Sequence, residues 1–120
     1  VKVLIVDDSS TVRDEVRVAL MAGGHDVLEA RDGVEGLEEI ERSPDLGVVI
    51  LDVNMPRMNG IELLSRLQDD SREVPVLMLT TEGQPNLIRR AKAAGAKAWM
   101  VKPFKADQLL KAVAKLGGGS

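Results

Sequence analysis

The sequence has no cysteine and no tyrosine, and it holds one histidine, one tryptophan and one phenylalanine. Without cysteine, disulfide frameworks, thiolate metal sites and thiol nucleophiles are excluded. Such a chain is compatible with a reducing compartment without requiring one. With Trp99 and Phe104 as the only aromatics, the core has to be assembled from Val, Leu, Ile, Met and Ala. Apolar runs such as Val48-Val49-Ile50-Leu51 stay far short of the roughly 20 residues that a spanning helix needs. No basic-then-apolar leader opens the sequence, so a cytoplasmic location and no membrane insertion are expected.

A strong basic excess is also lacking. Sixteen Lys and Arg stand against nineteen Asp and Glu, a net charge of −3, which argues against nucleic acid as a partner. The charge is uneven along the chain. Residues 1–60 hold six basic and thirteen acidic side chains, giving −7, whereas residues 61–120 hold ten and six, giving +4. A length of 120 residues suits one domain, with about two-thirds of the unfolded surface buried on folding.

Five short apolar segments read as strands: Val3 to Val6, Val27-Leu28, Val48 to Leu51, Val76 to Leu79 and Ala98 to Val101. Most are continuous instead of alternating, as expected for parallel strands covered on both faces. Between them run helical stripes: Val12, Val16, Ala19 and Leu20; Ile61, Leu64 and Leu67; Leu109, Leu110, Val113 and Leu116. Asp32 followed by Glu35 resembles an N-terminal capping pair ahead of Leu37 and Ile40, and Gly95 reads as the C-cap of Leu87 to Ala94. Five strand–helix repeats joined by short loops imply a doubly wound α/β sandwich on a parallel sheet. No composition break divides residues 1–116, and Gly117-Gly118-Gly119-Ser120 reads as a flexible tail or linker.

Ligands of open parallel sheets bind outside the carboxyl ends of the strands. There the first strand delivers Asp7 and Asp8, the third Asp52, the fourth Thr80 and Thr81, and the fifth Lys102. Three carboxylates at one edge repel unless a cation joins them. Carboxylates and backbone carbonyls are hard oxygen ligands, which suit Mg²⁺ better than zinc. A divalent ion together with Lys102 would bring the local charge near zero and leave the site ready for a dianionic phosphoryl group. Asp52 is then a candidate nucleophile, Lys102 a charge neutraliser and Thr80 a hydrogen-bond donor. Each residue also has an ordinary reading: a helix-capping Asp, a solvated Lys before Pro103, a capping Thr80. Their coincidence at one edge favours chemistry. His25 has no Ser or Cys partner and reads as the start of the second strand, and Met55, Met58, Met78 and Met100 read as packing residues.

The segments Val6-Asp7-Asp8-Ser9, Leu51-Asp52-Val53-Asn54-Met55-Pro56, Asn59-Gly60, Leu79-Thr80-Thr81-Glu82 and Val101-Lys102-Pro103-Phe104 together resemble the signature of response-regulator receiver domains, over residues 1–116. The resemblance implies a flavodoxin-like (βα)₅ fold with strand order 2-1-3-4-5. It implies that Asp52 accepts a phosphoryl group from the phosphohistidine of a sensor histidine kinase. Mg²⁺, with Mn²⁺ as a substitute, would be held by Asp8, Asp52 and the backbone carbonyl of Asn54, with Asp7 assisting. Lys102 would pair with the phosphoryl group and Thr80 would move to bond it. Asn54 and Glu82 occupy the positions that tune dephosphorylation, and the Lys102–Pro103 bond is expected to be cis. Such a protein is a switch that catalyses its own phosphotransfer and dephosphorylation, not an enzyme with an external substrate.

Within the family, Asp7-Asp8-Ser9 and the stretch from Leu79 to Trp99 look most like the chemotaxis, CheY-like branch. Trp99 falls at the position of the switch aromatic, with plain packing beside the last helix as the other reading. The output surface would be the fourth helix, fifth strand and fifth helix of a monomer. Arg89, Arg90, Lys92, Lys97, Lys105, Lys111 and Lys115 cluster in that region, either for an acidic partner peptide or as a solvated face. Three alternatives remain at this point. The chain could be a receiver module cut from a larger regulator or hybrid kinase. A haloacid-dehalogenase-like phosphatase would require a second Asp two residues after Asp52, where Asn54 stands. A flavodoxin-like cofactor carrier would require a phosphate loop where Asp7-Asp8 stands.

Overall fold

The computed structural model describes residues 1–117. Five strands, β1 (Lys2–Val6), β2 (Asp26–Ala30), β3 (Val48–Leu51), β4 (Val76–Thr80) and β5 (Ala98–Val101), alternate with five helices. The helices are α1 (Ser10–Ala22), α2 (Gly33–Arg42), α3 (Gly60–Asp69), α4 (Pro85–Ala93) and α5 (Ala106–Leu116). All strand pairs are parallel and the order is β2-β1-β3-β4-β5. The expected doubly wound sandwich is therefore the observed one. Among the described residues no helix is long and apolar enough to cross a membrane. The expected tail at 117–120 lies, beyond Gly117, outside the described residues.

The continuous apolar strands are explained by two cores, one on each face of the sheet. Leu4, Val6, Val49, Leu51 and Met78 pack under α2, α3 and α4 against Ile40, Leu63, Leu64, Leu67 and Ala91. Val3, Ile5, Val48, Ile50, Leu77 and Leu79 face α1 and α5, meeting Val16, Leu20, Leu109 and Val113. Successive strand residues point to opposite faces, so a strand buried on both has no polar position to alternate with. Each fully buried Leu or Ile contributes about 2 kcal/mol, which is how a core almost without aromatics suffices.

Local signals set the helix starts. Ser9 caps α1 by accepting from the Val12 amide at 3.3 Å, and Asn59 with Glu62 forms a reciprocal capping box on α3. The expected Asp32–Glu35 pair is half realised. Asp32 accepts from the Glu35 amide at 2.9 Å, but the Glu35 carboxylate turns to the Arg31 amide and guanidinium. The ion pair one turn away outcompetes the Asp32 amide for it. Gly95, at φ +107, follows the C-cap residue Ala94 instead of being the cap itself, and His25 precedes β2 by one residue.

Between β3 and α3 the chain doubles back so tightly that a Cβ on Gly60 would collide with the Asp52 carbonyl. The Gly60 amide donates to the Val53 carbonyl at 2.9 Å, closing the turn. We expect Gly60→Ala to cost about 2 kcal/mol or more in urea unfolding. Gly83→Ala, whose Cβ would meet nothing closer than Val101 at 3.7 Å, should stay within about 0.5 kcal/mol of wild type.

Candidate functional site: an acidic pocket at the carboxyl edge of the sheet

The strand order makes β1 and β3 neighbours, and the ladders that β1 shares with β3 and with β2 each run one residue beyond a strand. The Asp52 amide donates to the Val6 carbonyl at 3.1 Å, and the Asp7 amide to the Ala30 carbonyl at 3.1 Å. Chain direction reverses here, with α1 departing to one face and α2 and α3 to the other. This leaves a crevice at the switch point of the sheet. On the far side, the Lys102 amide donates to the Thr80 carbonyl at 2.8 Å, which extends β5 by one residue and aims Lys102 back across β4. The peptide that follows, Lys102–Pro103, is cis as expected.

Asp7 and Asp52 are buried, at 3% and 8% exposure, whereas Asp8 is open to solvent. Asp7 accepts from the Ser9 amide at 2.9 Å through one oxygen and from the Lys102 ammonium at 2.8 Å through the other. Asp52 accepts from the Val53 amide at 2.7 Å, and its second oxygen stands 3.5 Å from the same ammonium. One lysine thus bridges two carboxylates contributed by different strands. Asp7, Asp8 and Asp52 each offer an oxygen within 4.8 Å of the others. Three hard carboxylate oxygens gathered this closely are the kind of donor set that would hold Mg²⁺. Three carboxylates against one ammonium leave the pocket two negative charges in excess, which fits a divalent cation.

Arg13 does not relieve this excess. Its guanidinium donates to the backbone carbonyl of Asp7 at 2.6 Å and to Glu29 at 3.2 Å, so its charge is matched outside the pocket. Burial pushes the Asp52 carboxyl above the usual carboxylate range. The Thr80 hydroxyl and the Lys102 ammonium oppose that rise, Asp7 adds to it, and the Val53 amide opposes it.

A second set of contacts leads away from the pocket. Thr80 is fully buried at the end of β4, and its hydroxyl oxygen accepts from the Glu82 amide at 3.3 Å. Asn54 donates its side-chain amide to the Glu82 carboxylate at 2.8 Å. Trp99 donates its indole N–H to the Glu82 carbonyl at 3.0 Å while its half-buried ring packs on the α2–α4 core. Three of the anticipated residues, Asn54, Thr80 and Trp99, therefore meet at the fourth, Glu82. The carboxyl of Glu82 sits below its ordinary range, held there by Gln84 and then by Asn54.

Arg13 and Arg57 join the site region without a sequence signature. Arg57 bonds the α2 cap Asp32 at 2.8 Å across 25 residues, and Arg13 reaches a backbone atom. Neither contact follows from periodicity or from a motif. The only available signal was the placement of a cation beside the acid-rich segments. The four methionines expected to pack do so: Met78 is fully buried, Met55 and Met58 line the same core, and Met100 packs on the opposite one.

A buried carboxylate with a raised folded pKa destabilises the fold in its charged form. We therefore expect Asp52→Asn to stabilise the cation-free protein at neutral pH by about 1 kcal/mol. Because the wild type takes up a proton as pH falls through the folded pKa of Asp52, the difference should shrink below that point. Urea midpoints of both proteins between pH 4 and about pH 8 in chelator would show it; a gain independent of pH would contradict it.

Comparison with known proteins places the chain in a family. Residues 3–114 match the response regulator receiver domain family. Chemotaxis protein CheY1 of Helicobacter pylori is 45% identical over 113 residues, covering 92% of this chain and 90% of that protein. Chemotaxis protein CheY of Bacillus subtilis is 37% identical over 116 residues, covering 95% of each. Among solved structures, Vibrio cholerae CheY4 superposes with a TM-score of 0.87 at 42% identity, covering 96% of this chain and 97% of that one. A chain of a CheX–CheY–BeF₃–Mg complex from Borrelia burgdorferi gives 0.91 at 30% identity, covering 96% of this chain and 87% of that one. The phosphatase and cofactor-carrier alternatives give way to this match, and Asn54, already engaged by Glu82, offers no second acid. The chain belongs to the response regulator receiver domain family, the phosphorylation-controlled switches of two-component signalling.

Proposed function

We propose that Asp52 is the phosphoryl acceptor of a chemotaxis-type response regulator that acts through protein contacts and not through DNA. The observation that carries this reading is the Lys102 ammonium, at 2.8 Å from Asp7 and 3.5 Å from Asp52, in a pocket that still has two negative charges in excess. Asp8, Asp52 and the Asn54 carbonyl would hold Mg²⁺ or Mn²⁺, with Asp7 assisting through water. Bound there, the ion neutralises charge on the transferred oxygens.

The carboxylate oxygen of Asp52 attacks the phosphorus of a kinase phosphohistidine. An O–P bond forms, the N–P bond breaks, and the imidazole leaves with the electron pair. The low exposure of Asp52 restricts water at the acceptor, and Lys102 can exchange its Asp7 contact for a phosphoryl oxygen. Thr80 lies in the same pocket with a hydroxyl proton to donate, and turning toward the acyl phosphate would cost it the Glu82 amide contact. Glu82 and Asn54 stand where they can position the water that later hydrolyses the acyl phosphate.

The readout surface in this proposal is α4–β5–α5, with Trp99 reporting the change. Arg89, Arg90, Lys92, Lys97, Lys105, Lys111 and Lys115 are all exposed, and none forms an ion pair among the described residues. Val101, 49% exposed on the edge strand, adds an apolar centre to that basic face. Such a surface fits an acidic amphipathic segment of a downstream target. We place the domain at residues 1–116, with 117–120 as tail or linker, and read the protein as a cytoplasmic monomer that is a switch and not a turnover enzyme.

Incubation with a small-molecule phosphodonor and Mg²⁺ should attach one phosphoryl group per chain, with none on Asp52→Ala. Labelling that persists in Asp52→Ala, or sustained turnover of a phosphomonoester, would contradict the acceptor assignment. Beryllofluoride should change the fluorescence of Trp99, and Thr80→Ala should abolish that change while leaving the labelling in place.

A further inference from the structure

The segment joining β3 to α3 is tethered at two residues, Asn54 and Arg57. On one side, the Asn54 side chain reaches Glu82. On the other, Arg57 reaches Asp32, the N-cap of α2, through Nε and Nη2, each 2.8 Å from the same carboxylate oxygen. Arg57 has φ +67, and the Met58 amide donates to the Pro56 carbonyl at 2.7 Å across it. An i+2 to i bond around a positive-φ residue is the strained form of the γ-turn. A side-chain-bearing residue persists there only when its surroundings hold it. The visible holder is the ion pair with Asp32, whose side chain is only 9% exposed. The other Asp32 oxygen accepts from the Glu35 amide, so the pair links the loop to the first turn of α2.

We propose that Arg57 is a positioning residue for the metal site: its bond to Asp32 holds the strained turn and thereby fixes the Asn54 segment beside the acidic pocket. The inference rests on the cation-dependent acceptor reading above. It implies a reciprocal coupling. Cation binding at the pocket favours the conformation in which Arg57 grips α2, and loss of that grip loosens the site. Arg57 touches no reacting atom, so its effect should fall on affinity for the ion and not on transfer once the ion is bound.

The test is a Mg²⁺ titration, followed by calorimetry, of the wild type, Arg57→Ala, Asp32→Asn and the double variant, paired with phosphodonor labelling at saturating Mg²⁺. Asp32→Asn keeps a good helix cap while removing the charge. We expect each single variant to weaken Mg²⁺ binding about tenfold, the low end for groups supporting a metal ligand. The double variant should be no weaker than either, because both remove one shared contact. Labelling at saturating Mg²⁺ should return to the wild-type rate. An Arg57→Ala protein with unchanged Mg²⁺ affinity, even if its urea midpoint falls, would overturn the proposal. So would additive losses in the double variant. A wild type that takes up no Mg²⁺ would overturn the acceptor reading as well, whereas a binding wild type beside an unchanged Arg57→Ala overturns this inference alone.

Discussion

The organisation of this protein depends on one electrostatic imbalance. Lys102 brings a single positive charge to a pocket where Asp7 and Asp52 are buried and Asp8 stands at the mouth. Like charges this close, two of them removed from water, are tolerated only when a cation joins them. The lysine bridges the two buried carboxylates but cannot neutralise all three. The remaining excess of two negative charges makes this edge receptive to a divalent ion.

The scaffold exists to enforce that crowding. Backbone ladders continuing one residue past the strands bring Asp7 and Asp52 side by side and turn Lys102 toward both. Two apolar cores clamp the strands from opposite faces, so the carboxylates cannot drift apart to relieve their repulsion. Gly60 lets α3 begin against the Asp52 carbonyl, and the ion pair of Arg57 with Asp32 pins the loop between them. Glu82 then links the pocket to the surface, since one residue contacts Asn54, Thr80 and Trp99. Thr80 is thereby linked to the indole through two hydrogen bonds on one residue.

Much of this was legible in the sequence because it is encoded locally. Continuous apolar runs told of strands covered on both sides, and acids directly after Val6 and Leu51 told which edge would be polar. The grouping of Asp7, Asp8, Asp52, Thr80 and Lys102 followed from topology alone, since parallel strands deliver their carboxyl ends to one side. What escaped was decided by contacts distant in sequence. Glu35 was expected to complete a box with Asp32 but answers to Arg31. Arg57 sits at a backbone conformation that favours glycine and finds its partner 25 residues earlier, with no periodicity to betray it. The indole of Trp99 bonds a backbone carbonyl, a contact that residue identities cannot announce.

A pocket two charges short of neutrality should take up a divalent cation. The most direct check is the urea midpoint as a function of Mg²⁺ concentration in the wild type and in Asp8→Asn. A ligand that binds only the folded state raises stability in proportion to the logarithm of its concentration above Kd. The wild-type midpoint should rise with Mg²⁺, and in Asp8→Asn that rise should be lost or displaced to much higher Mg²⁺. A wild-type midpoint that stays flat as Mg²⁺ is raised through the millimolar range would contradict it.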